Sequence, residues 1–199
     1  MSKKFSFSNK SITKTSGFKK ALIALVLLLV FTFLNLSADE RVAVVVGPRV
    51  GATYVIVDQP TFNSGVQAVF PDTGRQYFPV LSQFGVNIEQ RIRLGGTQSH
   101  FVFQEVVLLG GLDQNIYMPS ASVLIGFRSR AGLEFGLGPN FSLTTNDGSV
   151  GLGITVVYAV GWTFSFQEVY VPVNFAIAPT PKDGRIRLTL LTGFNFNYE

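Results

Sequence analysis

Seven ionisable side chains stand in or beside runs that are otherwise apolar or small: Arg49, Glu89, Arg91, Glu105, Glu134, Glu168 and Arg187. The apolar residues of these runs fall mostly on every second position, so an extended chain carries the charges on the opposite face. Gathered into one narrow space, such a set has two uses. Arginine can pair with glutamate and close the space, or the charges can line a gated pore and select ions. Unpaired charge in a poorly hydrated interior is costly, and water-filled barrels typically need about 16 or more strands. Pairing is the favoured reading, and the seven are expected to form a structural charge cluster in a lumen.

Other chemistry finds little support. His100 is the single histidine; it sits at a turn-to-strand boundary without a serine and an acid at nucleophile–base spacing. GLGPNF, Gly136–Phe141, lacks the third glycine of a phosphate loop and opens no helix. Asp147 in NDGS is a turn former before it is a metal ligand. Trp162, Phe164, Phe166 and Tyr170 suit an interfacial belt or barrel filling better than a binding cavity. With no cysteine, disulfides and thiolate zinc sites are excluded. No catalytic, cofactor-binding or metal-ligating residue is expected, and no cofactor.

The elements that must position the cluster are strands. In GLEFGLGPNFSLTTNDGSVGLGITVVY (132–158), Leu133, Phe135, Leu137, Phe141 and Leu143 alternate with small or polar residues, as do Leu152, Ile154 and Val156. Period two reads as strand, and TTNDGS between the halves reads as a hairpin turn. Similar runs cover Val42–Val57, Tyr77–Arg93, His100–Leu109, Tyr117–Phe127, Thr163–Ile177 and Arg185–Tyr198. With the two strands of 132–158 they predict eight, joined mostly by short turns and therefore antiparallel. An even number suits closure into a barrel. No helical periodicity of useful length follows Asp39, and the stretch 58–76 is expected to be the longest loop. FVFQEVV (101–107) echoes FSFQEVY (164–170), which would link the third and seventh strands in a four-plus-four duplication; chance also accounts for so short a match.

Composition sets the compartment. The chain of 199 residues is 47% apolar and 14% charged, against about 25% charged in soluble domains. The net charge of +4 comes from the leader: Lys3, Lys4, Lys10, Lys14, Lys19 and Lys20 precede any acid. It is not read as a nucleic-acid footprint, and no nucleic-acid partner is expected. Ala21–Leu34 is uncharged and mostly aliphatic, shorter than the roughly 20 residues of a spanning helix and right for a secretory signal. Residues 1–38 are expected to be a signal peptide for the general secretory route, cleaved between Ala38 and Asp39, with 39–199 as one domain. An uncleaved anchor is the alternative.

Which face meets water decides the class. A soluble barrel would have to pack most of the large apolar residues inside, where eight strands hold few. It would also expose a glycine-rich face that covers nothing. Turned inside out, Phe, Leu, Val and Ile meet lipid, while Gly, Ser and the charges share the narrow interior. An arginine on the lipid face at mid-bilayer would cost about 2–4 kcal/mol, and the apolar faces carry none. Closure satisfies every backbone hydrogen bond, as a bilayer requires. The fold class expected is all-β, an eight-stranded antiparallel up-and-down transmembrane β-barrel.

On these residues the chain resembles the small outer-membrane barrels of Gram-negative bacteria, the OmpA/OmpX-like group, over about residues 41–198. The resemblance implies a C-terminal assembly signal: polar, glycine, two free positions, apolar, free, aromatic. Thr192, Gly193, Phe196 and Tyr198 occupy its fixed slots. Glu199 follows the aromatic, whereas members of the group commonly end on it. It also implies location in the bacterial outer membrane, with its lipids and the barrel-assembly machinery as partners. Lipid A deacylases and palmitoyltransferases of this size use histidine with serine and an acid, and their motifs are not matched here. The expected role is non-enzymatic, structural or in surface interaction, with loop 58–76 open to an extracellular ligand. The alternatives are a porin-like barrel carrying a small solute or an apolar molecule, and a periplasmic lipocalin-like binder.

Overall fold

Alternating sequence from Val42 onward builds one closed sheet. The computed structural model describes residues 42–70, 75–95, 98–146, 149–166, 169–180 and 184–197. The leader (1–38), Asp147, Glu168 and Tyr198 lie outside the described residues. The strands are β1 (Val42–Ile56), β2 (Val80–Arg93), β3 (His100–Gly110), β4 (Met118–Arg128), β5 (Leu133–Asn146), β6 (Ser149–Phe166), β7 (Val169–Pro179), β8 (Ile186–Gly193) and β9 (Asn195–Asn197). From β1 to β8 each pairs antiparallel with its sequence neighbour, and β1 also pairs with β8 and β9, which closes the cylinder.

β8 and β9 form a single eighth strand. Both keep one register against β1, with Arg49 opposite Gly193 and Val46 opposite Phe196. The break at Phe194 has a local cause: that register puts Phe194 opposite Pro48, which has no amide hydrogen for the ladder. A second gap, between β4 and β5, falls at Gly138 and Pro139. The architecture is the all-β, eight-stranded, antiparallel up-and-down barrel predicted from the alternation.

Two expectations are corrected here. The stretch 58–76 contains a helix, α1 (Gln59–Val69). Asp58 caps it by accepting the Thr61 amide at 3.0 Å, and Pro60 stands in its first turn. Phe62 and Val66, one turn apart, are buried beneath it. Eleven residues with so few apolar positions offer a weak periodic signal. The duplication also fails. β6 continues through Thr163 to Phe166 and β7 starts at Val169, so FSFQEVY straddles a hairpin while FVFQEVV lies wholly within β3.

Exposed Asp58 provides a pH test. The Thr61 amide holds its carboxyl below the ordinary carboxylate range. A group depressed in this way stabilises above its unfolded pKa, about 3.9, and loses that contribution as pH falls through the lower folded value. Exchange protection at the start of α1 is expected to be full above about pH 4 and to fall on further acidification. Asp58→Ala should remove the protection at all pH values and leave the barrel strands unchanged. Amide hydrogen exchange at Thr61 reads both.

The faces follow from the register. Val50, Phe84, Ile125, Leu137, Ile154 and Leu190 all point outward, Leu137 at 58% and Ile154 at 67% exposure. A monomeric soluble protein does not carry an apolar belt of this extent around its full circumference. The chain is an integral membrane barrel of the outer-membrane type.

At the end remote from Val42 and Asn197, α1 lies over the mouth and reaches β5 and β6. Phe62 and Val66 pack with Val55, Tyr77, Leu81 and Ile116 into a small core below the helix. A 3-10 turn at Leu112–Gln114 fastens the chain returning from α1. Gln114 accepts the Phe78 amide at 2.7 Å and donates to the carbonyls of Phe78 and Val80 at 3.0 and 2.6 Å. Asp113 accepts from the Ser82 hydroxyl at 2.6 Å and the Ser82 amide at 3.0 Å. Burial pushes the Asp113 carboxyl up, but the two Ser82 bonds outweigh it and hold it below the ordinary range.

Candidate functional site in the barrel interior

The interior has two layers. The lower one, at the end of the described termini, is ionic. β2 presents Glu89 and Arg91 inward, β4 ends on Arg128, and Glu134, the second residue of β5, stands directly opposite Arg128. Arg91 Nε lies 2.7 Å from Glu89 Oε1. Arg128 Nη2 lies 2.6 Å from Glu89 Oε2, and its Nη1 lies 2.7 Å from Glu134 Oε1. The Thr163 hydroxyl accepts from Arg128 at 2.8 Å and donates to Glu134. Gln104 donates to Glu89 at 3.3 Å, and the Arg91 guanidinium stands 5.9 Å from the Tyr170 ring centroid. β2 and β4 flank β3, so the Glu89–Arg128 pair reaches over the inner face of that strand.

Above this layer Arg49 donates to the Pro48 carbonyl and to Asn195 Oδ1, both at 2.9 Å. The second of these bonds joins the first strand to the last. Thr53 and Thr189 hydroxyls, 2.8 Å apart, join the same seam higher up. Arg187 reaches from β8 to Ser142 Oγ at 3.0 Å and Asn140 Oδ1 at 2.9 Å on β5.

Of the charges singled out in the sequence, Glu89, Arg91 and Glu134 come together. Arg49 and Arg187 lie inside the barrel, hydrogen-bonded to neutral groups above the ionic layer. Glu105 does not belong in the lumen. Its register, opposite Ile88 and Val123, puts it on the face of β3 that carries Phe101 and Val107, although its own side chain is buried, at 1% exposure. β3 misleads because its inward face is also largely apolar: Val102, Val106 and Leu108. Glu168 lies outside the described residues. The residue missed was Arg128, which contacts both carboxylates. The alternating run Tyr117–Phe127 stops one residue short of the strand, and one more step of alternation puts residue 128 inside.

His100 opens β3 opposite Arg128 on one side and Arg93 on the other. In the assembly segment, the Thr192 hydroxyl donates to the Pro172 carbonyl at 3.0 Å. Gly193 stands opposite Arg49, and the backbone of Phe196 pairs with Val46 and Val169. Tyr198 lies outside the described residues.

Between the ionic layer and α1 the barrel interior holds a partly open cavity of about 220 Å³. Phe62 and Val66 roof it, and Leu108, Leu124, Val157 and Ala176 line its sides. Its polar lining includes Arg49, Arg187, Gln83, Asn87 and Asn140. No carboxylate lines it among the described residues.

No protein-family model and no curated protein matches the chain. Among solved structures it is similar to Ail, the attachment invasion locus protein of Yersinia pestis, at 12% identity and a TM-score of 0.45, over 77% of this chain and 98% of that one. Ail in complex with the heparin analogue sucrose octasulfate gives 11% and 0.41, over 78% and 99%. Neisserial surface protein A (NspA) gives 11% and 0.37, over 80% and 100%. At such values activity does not transfer, and the fold stands on the strand register described above.

Proposed function

We propose that the chain is a non-enzymatic outer-membrane barrel whose lumen is sealed and whose α1 end acts in interaction at the cell surface. The carrying observation is the ionic layer: Arg91, Glu89, Arg128 and Glu134, inward on β2, β4 and β5, join in three contacts of 2.6–2.7 Å. Charges so paired block an ion path instead of lining one. In this reading the leader (1–38) directs export by the general secretory route. The barrel-assembly machinery reads Thr192, Gly193, Phe196 and Tyr198, and α1 with its flanking loop, 58–76, faces outward toward a ligand.

Planar-bilayer recording tests the seal. The purified barrel is expected to give no conductance steps at moderate salt. Steps of porin size from the unaltered protein would overturn the reading.

A transport role for an apolar molecule has one observation in its favour, the cavity with apolar sides under α1. The ionic layer beneath it makes the cavity a dead end, which fits binding better than passage.

A further inference from the structure

We propose that the cavity under α1 binds a medium-chain carboxylic acid bearing a hydroxyl near its carboxylate. The inference rests on the sealed-barrel reading, since an open lumen would be filled by water and ions.

Three features select this chemistry. The first is charge. Arg49 lines the cavity and no described carboxylate does, while Glu89 and Glu134 are engaged by Arg91 and Arg128 below. A carboxylate therefore meets guanidinium donors there, the strong charge-assisted case.

The second is an unmet need. Gln83 Oε1 and Asn87 Oδ1 are buried and have no hydrogen-bond partner. Both line the cavity. The β1–β2 register puts them on either side of Arg49: Gln83 opposite Gly51, Gly85 opposite Arg49, Asn87 opposite Gly47. The three glycines leave that patch of wall without competing side chains. Buried acceptors require donors, and a carboxylate has none to give. A hydroxyl close to the carboxylate donates its one proton to one of these oxygens, Gln83 Oε1 or Asn87 Oδ1, while the acid group accepts from Arg49.

The third is size. The remaining walls are apolar, from Leu124 and Val157 up to Phe62 and Val66. A dry cavity of about 150 Å³ takes benzene, which scales 220 Å³ to a ligand of about six to eight carbons.

The test uses the barrel in lipid nanodiscs with 3-hydroxyoctanoate carrying ¹³C at the carboxyl, and empty nanodiscs as the partition control. A saturable, protein-specific carboxyl resonance at one site per barrel is expected. Octanoate should bind more weakly, octanol should not compete, and dodecanoate should be excluded by length. Arg49→Gln should weaken binding roughly tenfold or more, the scale of one hydrogen bond to a charged group. Ala176→Phe, which fills the chain compartment, should abolish it. Heat-dependent gel mobility confirms that each variant is folded.

Absence of a saturable resonance with folded protein overturns the proposal. So does unchanged binding in either folded variant, or competition by octanol equal to that by the acid. Conductance of the same preparations separates the two readings. A conducting barrel refutes the seal, whereas a silent barrel that binds nothing refutes only the ligand.

Discussion

Leu137→Arg is expected to abolish insertion of the barrel, leaving protein that runs on a gel at the same position with or without boiling. Leu137 lies in the interior of β5, points outward and is 58% exposed. A guanidinium there must meet hydrocarbon, at a cost of about 2–4 kcal/mol near the midplane. That is a large share of a domain's stability, which is typically about 5–15 kcal/mol. The neighbouring change, Gly136→Ser, is expected to be mild. Position 136 faces the lumen, and a Cβ there meets the Ile125 carbonyl at 3.5 Å and Leu124 Cβ at 3.6 Å, ordinary contact distances. Folding yield into preformed vesicles, read by heat-dependent gel mobility, compares the two. If both variants insert equally well, the assignment of inner and outer faces is wrong.

Arg128→Ala should cause the largest loss among lumenal changes. It removes the counter-charge of Glu134 and one of the two on Glu89, which keeps Arg91, and leaves both carboxylates in a common enclosure. Breaking a buried ion pair by removing one partner costs about 3–5 kcal/mol. A lower thermal transition of the folded form is expected, followed by circular dichroism in detergent. Adding Glu134→Gln to Arg128→Ala should restore part of the loss, because the carboxylate that lost its ion pair is then neutral. A double variant no more stable than the single one would show that Arg128 acts by packing and not by charge.

The strands were legible because lipid outside and a narrow interior impose strict alternation. Leu133 to Leu143, Val169 to Ile177 and Phe84 to Ile88 each declare their face without help from the rest of the fold. Legibility failed where that constraint relaxes. The upper lumen is apolar, so β3 shows large residues on both faces and Glu105 could be placed on either. The helix over the mouth touches neither lipid nor a long core, so Phe62 and Val66 were its only strong marks. Arg128 was lost to a strand end set one residue short, an error that costs little in a fold and much in a cluster. The cavity was not legible at all. It depends on distances between β1, β2, β5 and β8 that no local pattern records.

The contact between Arg49 and Asn195 spans 146 positions of sequence. Until the tail of the chain arrives, β1 and β7 are two raw edges of an open ribbon, each a template for unwanted pairing. One wall of the chamber is then missing as well, because Arg187 and Thr189 come with that tail. The chamber is thus created by the closing event itself. A product truncated before its last strand would be an aggregation hazard with nowhere to hold a guest.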